Sequence, residues 1–345
     1  MSLTSVLKTK MDRRRVLGNL GMMGAGAALT ACSVGFGDTN PNQDDYDAAI
    51  LNFALNLEYL EAAFYLAAVG RITELPNYSA SKIILPSGFD GKTTISFDNE
   101  SVGEYAAEIA QDELDHVEFL LSALGNNAAG LPTIDLTGSF VGAATVANSL
   151  AAGGLGFDPA DFNPFAAEAF FVHGAYIFED VGVTAYSGAA PLITNKTFLA
   201  KAAGIMAVEA YHAGEIRTLL YNADMRRGAI YGQLDTWKIA NAISATRDFV
   251  DQGRSASNTD LDQGIVAEAN FGLATQAHGG ANIIPTDSNG IAFARTPRQV
   301  ANIVFLSGDN TKTSGGFFPM VFPCLQARGR FLLSLIPLIR FIHHT

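Results

Sequence analysis

The chain has 345 residues, 48% of them hydrophobic and 16% charged, with a net charge of −12. That content suffices for one large domain with appendages. The acidic balance argues against nucleic acid and anionic membrane surfaces as partners. The two cysteines, Cys32 and Cys324, provide neither a disulfide framework nor a thiolate metal site.

Residues 1–31 read as an address and are set aside from the fold. Arg13-Arg14-Arg15 ahead of a Gly- and Ala-rich stretch resembles a twin-arginine export motif. Leu29-Thr30-Ala31-Cys32 resembles a lipobox, with Cys32 as the lipidated residue. The expectation is recognition by the twin-arginine export machinery. The mature protein is expected on the periplasmic face of a bacterial membrane as a lipoprotein, touching the membrane only through its lipidated N-terminus. Cleavage after Ala31 without lipidation would leave it in the soluble periplasm.

Residues 32–44, rich in Gly, Asn, Asp and Pro, read as a tether. A first helix is predicted from Asp45 to Val69. Residues 71–98 hold Pro76, Pro86, Gly88 and Gly91 and read as a loop, with a small hairpin at the β-prone run Thr93–Phe97. Ser101-x-x-Glu104 predicts a capping box for a second helix ending near Gly125. A long connection comes next, with a helical piece from Phe140 to Ala152. Asn163-Pro164 predicts the cap and first turn of a third helix, running to Tyr186. A fourth helix is predicted from Asn195 to Tyr221. The fold class is therefore all-α, a four-helix bundle over 45–222 with a long crossover between helices two and three.

A C-terminal helical extension is expected over 223–319, with a fifth helix from Asp235 to Val250. Residues 252–292 read as loop, and Thr296-Pro297 caps a short helix through Phe305. Residues 320–345 form a basic, apolar tail whose run Phe331–Ile339 is too short to span a bilayer.

The chemistry-bearing pattern is doubled. Glu58 and Tyr65 stand seven apart, and Glu113-Leu114-Asp115-His116 reads Glu-x-x-His. Glu179 with Tyr186, then Glu209-Ala210-Tyr211-His212, repeat both spacings in the same order. Positions i, i+3 and i+7 share one helix face. One Glu from each of two helices and a Glu-x-x-His from each of the other two is what a bundle needs to hold two metal ions. The competing reading, four solvated helix faces, fails at Glu58. Its neighbours are Phe53, Ala54, Leu55, Leu57, Leu60, Ala62, Ala63 and Phe64, and a helix apolar nearly all round is buried. A buried carboxylate must be paired, protonated or metal-bound.

Other residues compete for these roles. Glu61 lies one turn from Glu58 and is its rival; the parallel of Glu58–Tyr65 with Glu179–Tyr186 favours Glu58. Glu168 and His173 offer an access path or a second site, although a helix start is the simpler role for Glu168. Asp112, Asp115 and Glu118 read as a solvated face. His278 sits in a loop without a visible partner, and His343 and His344 are terminal.

With those motifs the chain resembles the ferritin-like superfamily, and specifically its exported group related to plant desiccation-related proteins. Ala292–Pro297 and Gly315–Pro319 are similar to C-terminal features of that group. The resemblance implies that Glu113 and Glu209 bridge two ions, that His116 and His212 each bind one, and that Glu58 and Glu179 are terminal ligands. It places Tyr65 and Tyr186 beside the terminal carboxylates, as candidate participants in catalysis. The implied cofactors are two Fe or Mn ions, because carboxylate and imidazole ligands suit those metals. The implied activity is oxidase, peroxidase or catalase-like chemistry on dioxygen or hydrogen peroxide in stress protection. A non-catalytic, stress-protective metal binder is the alternative. The long loop after the first helix, the C-terminal third and the lipid anchor argue against a 24-subunit cage, while leaving a smaller oligomer open.

Overall fold

The computed structural model describes residues 41–225, 234–251, 261–267 and 280–321. Arg13–Arg15, Cys32, His278, Cys324, Phe331–Ile339, His343 and His344 lie outside the described residues. The chain divides into two units, Met1–Asp45 and Tyr46–Thr345. Of the first, only the start of a helix is described; every other described element belongs to the second.

Helix α1 spans Pro41–Ala68, so it begins inside the predicted tether. From Leu55 to Ala68 every residue is buried, which agrees with the sequence being apolar on all sides. Gly70, at φ 76°, turns the chain away. The expected hairpin at Thr93–Phe97 does not form. Thr94 instead bridges Val69 at the end of α1, and its hydroxyl donates to the Val69 carbonyl at 3.0 Å. Strand β1 (Ile83–Ile84) pairs in parallel with β2 (Ile134–Asp135) across the long connection.

Helix α2 spans Glu100–Leu124 and ends at Gly125. Its cap is Asn99, not the predicted Ser101. Asn99 has the extended backbone a cap requires, and its side chain accepts from Ser101 N, which is already inside the helix. Helix α3 spans Gly138–Leu150. Helix α4 spans Glu168–Ala189, several residues later than predicted. Asn163 closes a separate turn by accepting from Phe165 N at 3.0 Å. Glu168 then reaches across to accept from Asn99 N at 2.8 Å, tying the starts of α4 and α2 together.

Helix α5 spans Lys196–Met225. Asn195 accepts from Thr197 N, and Asp47 on α1 accepts from Thr194 N and Asn195 N, both at 2.8 Å. The short turn between α4 and α5 makes them antiparallel neighbours. Helix α6 spans Thr236–Asp251 and α7 spans Pro297–Val304, capped by Thr296 and Gln299 as a capping box. Between them β3 (Val266–Ala267) and β4 (Gly280–Ala281) pair antiparallel. Helix α6 packs against α3, α4, α5 and α7, and α7 also packs against α4. Among the described residues, no helix is long and apolar enough to cross a membrane.

The core runs along α1 and α4. Phe64 contacts the rings of Phe140, Phe165, Phe171 and Phe178, and Phe317 of the extension closes on Phe140 and Phe178. A second tie is ionic. Arg217 on α5 forms a fork to Asp180 on α4 at 2.8 and 2.9 Å and reaches carbonyls of Gln263, Gly264 and Asn282. Arg247 on α6 joins Asp180 at 2.7 Å and Asp262 at 2.6 Å. Arg295 joins Asp251 and Asp262 at 2.7 and 2.9 Å. Three guanidiniums meet three carboxylates, so the buried network is balanced in charge. The guanidiniums of Arg217 and Arg247 both lie over the ring of Tyr176. The network fixes α4 at the residue next to Glu179.

Candidate metal centre

Helical spacing brings the Glu, or the Glu-x-x-His pair, of each bundle helix to its buried side. Glu58 on α1, Glu113 and His116 on α2, Glu179 on α4, and Glu209 and His212 on α5 are all buried. The structure brings them into two quartets. Glu58, Glu113, His116 and Glu209 form one, and Glu113, Glu179, Glu209 and His212 the other, with ligand atoms in each within 4.8 Å of one another. Glu113 and Glu209 belong to both. Glu113 turns Oε1 towards His212 Nδ1 at 3.1 Å and Oε2 towards His116 Nδ1 at 3.4 Å. His116 Nδ1 lies 3.1 Å from Glu58, and His212 Nδ1 lies 3.4 Å from Glu179.

The two tyrosines cross-pair. Tyr65 on α1 donates to Glu179 on α4, and Tyr186 on α4 donates to Glu58 on α1. Each hydroxyl engages one oxygen of a Glu on the facing helix.

The rivals fall into place. Glu61 is buried beside the cluster but belongs to neither quartet. His173 is held by the carbonyls of Ala169 and Thr236, and Glu168 by the start of α2, so both serve the fold. Asp115 and Glu118 are exposed. Asp112 corrects the expectation of a solvated face. It is half-buried, and its Oδ2 lies 3.3 Å from His212 Nε2.

Burial, with the neighbouring charges, shapes the protonation. Burial, opposed by His116, pushes Glu58 up to about 7. Burial and then Glu113 push Glu61 and Glu209 well above the carboxylate range. His116, against its own burial, is raised to about 11 by Glu58 and Glu113. Glu113 is held low by the two imidazoles despite its burial.

Several buried polar atoms here lack a hydrogen bond: Glu113 Oε1, Glu179 Oε2, both oxygens of Glu209, and His212 Nδ1. Buried polar groups are normally satisfied, so such a concentration in one place calls for an explanation. The donor set, four carboxylates and two imidazoles, fits hard or borderline divalent ions, and four negative charges balance two such ions.

Two supporting features have no signature in the sequence. A Cβ at Gly182 on α4 would lie 2.2 Å from Glu209 Oε2, so any larger residue there requires that carboxylate to shift. The arginine network beside Glu179 joins segments distant in sequence, with no local pattern to announce it.

The ferritin-like domain family model matches residues 46–222. A desiccation-related protein of Craterostigma plantagineum is 31% identical over 274 residues, covering 78% of this chain and 81% of that protein. A ferritin-like catalase of Nesocodon mauritianus is 26% identical over 294 residues, covering 82% of this chain and 85% of that protein. No solved structure matches the chain.

Proposed function

This chain belongs to the ferritin-like domain family, and from that premise we propose that it is an oxidoreductase with a carboxylate-bridged pair of iron or manganese ions, acting on hydrogen peroxide or dioxygen. The observation that carries the reading is the sharing of Glu113 and Glu209 between two otherwise separate quartets. Glu58 and His116 would complete one position, Glu179 and His212 the other. Two redox-active ions held together supply two-electron exchange with dioxygen or peroxide. The protein's own part is to hold the ligands. Tyr65 and Tyr186 each engage one oxygen of Glu179 and Glu58. Burial keeps bulk water from the carboxylates, which strengthens their hold on cations. The similarity to a ferritin-like catalase supports peroxide, disproportionated to dioxygen and water, as the first substrate to try.

The similarity to a desiccation-related protein favours a second reading, a stress-protective metal binder without turnover. One experiment separates them. Elemental analysis of natively produced protein should find about two ions per chain, and hydrogen peroxide should be consumed with release of dioxygen. Two ions without turnover of peroxide or dioxygen would leave the second reading. Full metal content in a Glu209→Ala variant would overturn the shared-ligand geometry.

Export as a lipoprotein belongs to the same proposal, supported by Arg13–Arg15 and Cys32. Replacing the three arginines by lysine keeps charge but loses the guanidinium fork, and should leave the protein in the cytoplasm. Cys32→Ala should release processed protein into the soluble fraction.

A further inference from the structure

The two halves of the centre repeat each other in sequence, yet they differ one residue before each Glu-x-x-His. Ahead of Glu113 stands Asp112; ahead of Glu209 stands Val208. Asp112 crosses from α2 to α5, where its Oδ2 meets Nε2 of His212 at 3.3 Å. Nδ1 of the same ring faces Glu113 and Glu179 at 3.1 and 3.4 Å. A neutral imidazole that donates Nε2–H to a carboxylate presents an unprotonated Nδ1 inwards. A carboxylate behind a histidine ligand also raises the basicity of the ring. Val208, in the matching place on α5, has no oxygen to offer His116.

We propose that Asp112 is a positioning residue for His212 that makes the two metal positions unequal. The position built from Glu113, Glu179, Glu209 and His212 fills first and holds its ion more tightly. The position built from Glu58, Glu113, His116 and Glu209 fills second and exchanges more readily. The proposal rests on the dimetal reading above.

Cobalt(II) titration of the metal-free full chain tests it, with visible absorption and hyperfine-shifted proton resonances as readouts. Wild type should fill in two steps of different affinity. Asp112→Ala should weaken the tighter step about 10- to 100-fold and leave the other in place. The shifted imidazole N–H resonance of His212 should then broaden through faster exchange with water. Asp112→Asn, which keeps an acceptor but loses the charge, should fall between. Val208→Asp should tighten the weaker step. Asp115→Ala, exposed on the same helix, should move neither and controls for a general effect on α2. Two steps unchanged in Asp112→Ala, or both weakened equally, would overturn the inference while leaving the dimetal reading intact. A wild-type chain that takes up no pair of ions would instead remove that reading, and this inference with it.

Discussion

The hydroxyl of Tyr65 on α1 donates to the carboxylate of Glu179 on α4. Tyr186 returns the same contact to Glu58. Each tyrosine therefore serves the Glu of the opposite helix rather than the Glu seven residues before it. The two helices are locked face to face at the level of the centre.

Removing either hydroxyl leaves a buried carboxylate short of a donor. Tyr65→Phe and Tyr186→Phe should each cost about 1–3 kcal/mol in the metal-free protein, measured by urea unfolding. Cross-pairing also predicts different metal phenotypes. Tyr65→Phe should disturb the position that includes Glu179, and Tyr186→Phe the one that includes Glu58. If both variants perturb the same position, the tyrosines do not act through those contacts.

Gly182 makes a second prediction, with two opposed effects. Glycine inside a helix is ordinarily about 0.5–1 kcal/mol worse than alanine. Here the alanine methyl would occupy the space of Glu209 Oε2. Gly182→Ala should therefore retain or gain helix content by circular dichroism while losing bound metal. Metal content equal to wild type would show that Glu209 can move aside, and that the close approach is not required.

These two cases mark what the sequence can and cannot show. The convergence of Glu58, Glu113, His116, Glu179, Glu209 and His212 was legible because helical spacing is a local property that aligns each set on one face. The number and order of the bundle helices were legible for the same reason. Partner choice was not. Nothing local pairs Tyr65 with Glu179, turns Asp112 towards His212, or assigns Gly182 to Glu209. Cap positions failed differently. Asn99 and Ser101 both suit a cap, and Asn163-Pro164 is a good start in isolation. The outcome was decided by Glu168 crossing to Asn99, a contact between helices.

The ionic network predicts the role of the C-terminal extension. Asp180 receives both Arg217 and Arg247 in a buried setting. Asp180→Ala leaves two guanidiniums short of their shared carboxylate and should cost about 3–5 kcal/mol. Because α4 also carries Glu179, metal affinity should fall as well. A loss below about 1 kcal/mol, the range of an exposed pair, would mean that the network does not hold α4 in place.

Burial of the ionisable groups at the centre predicts opposite pH dependences for the metal-free and loaded protein. Glu58 titrates at about 7 in the fold against 4.5 for an ordinary glutamate. Between those values the folded state binds more protons than the unfolded chain, so stability falls as pH rises. His116, raised from 6.5 to about 11, extends the same trend upwards, because its favourable charge is lost only through that higher range. Metal-free protein should thus melt at progressively lower temperature as pH rises from 4.5 through 7 and beyond. Divalent ions bind deprotonated carboxylates and neutral imidazole, so they compete with those protons, and their stabilising effect should grow over the same interval. Melting curves with excess manganese(II) and with chelator should diverge as pH increases. Parallel curves would show that the ions bind elsewhere than at Glu58 and His116.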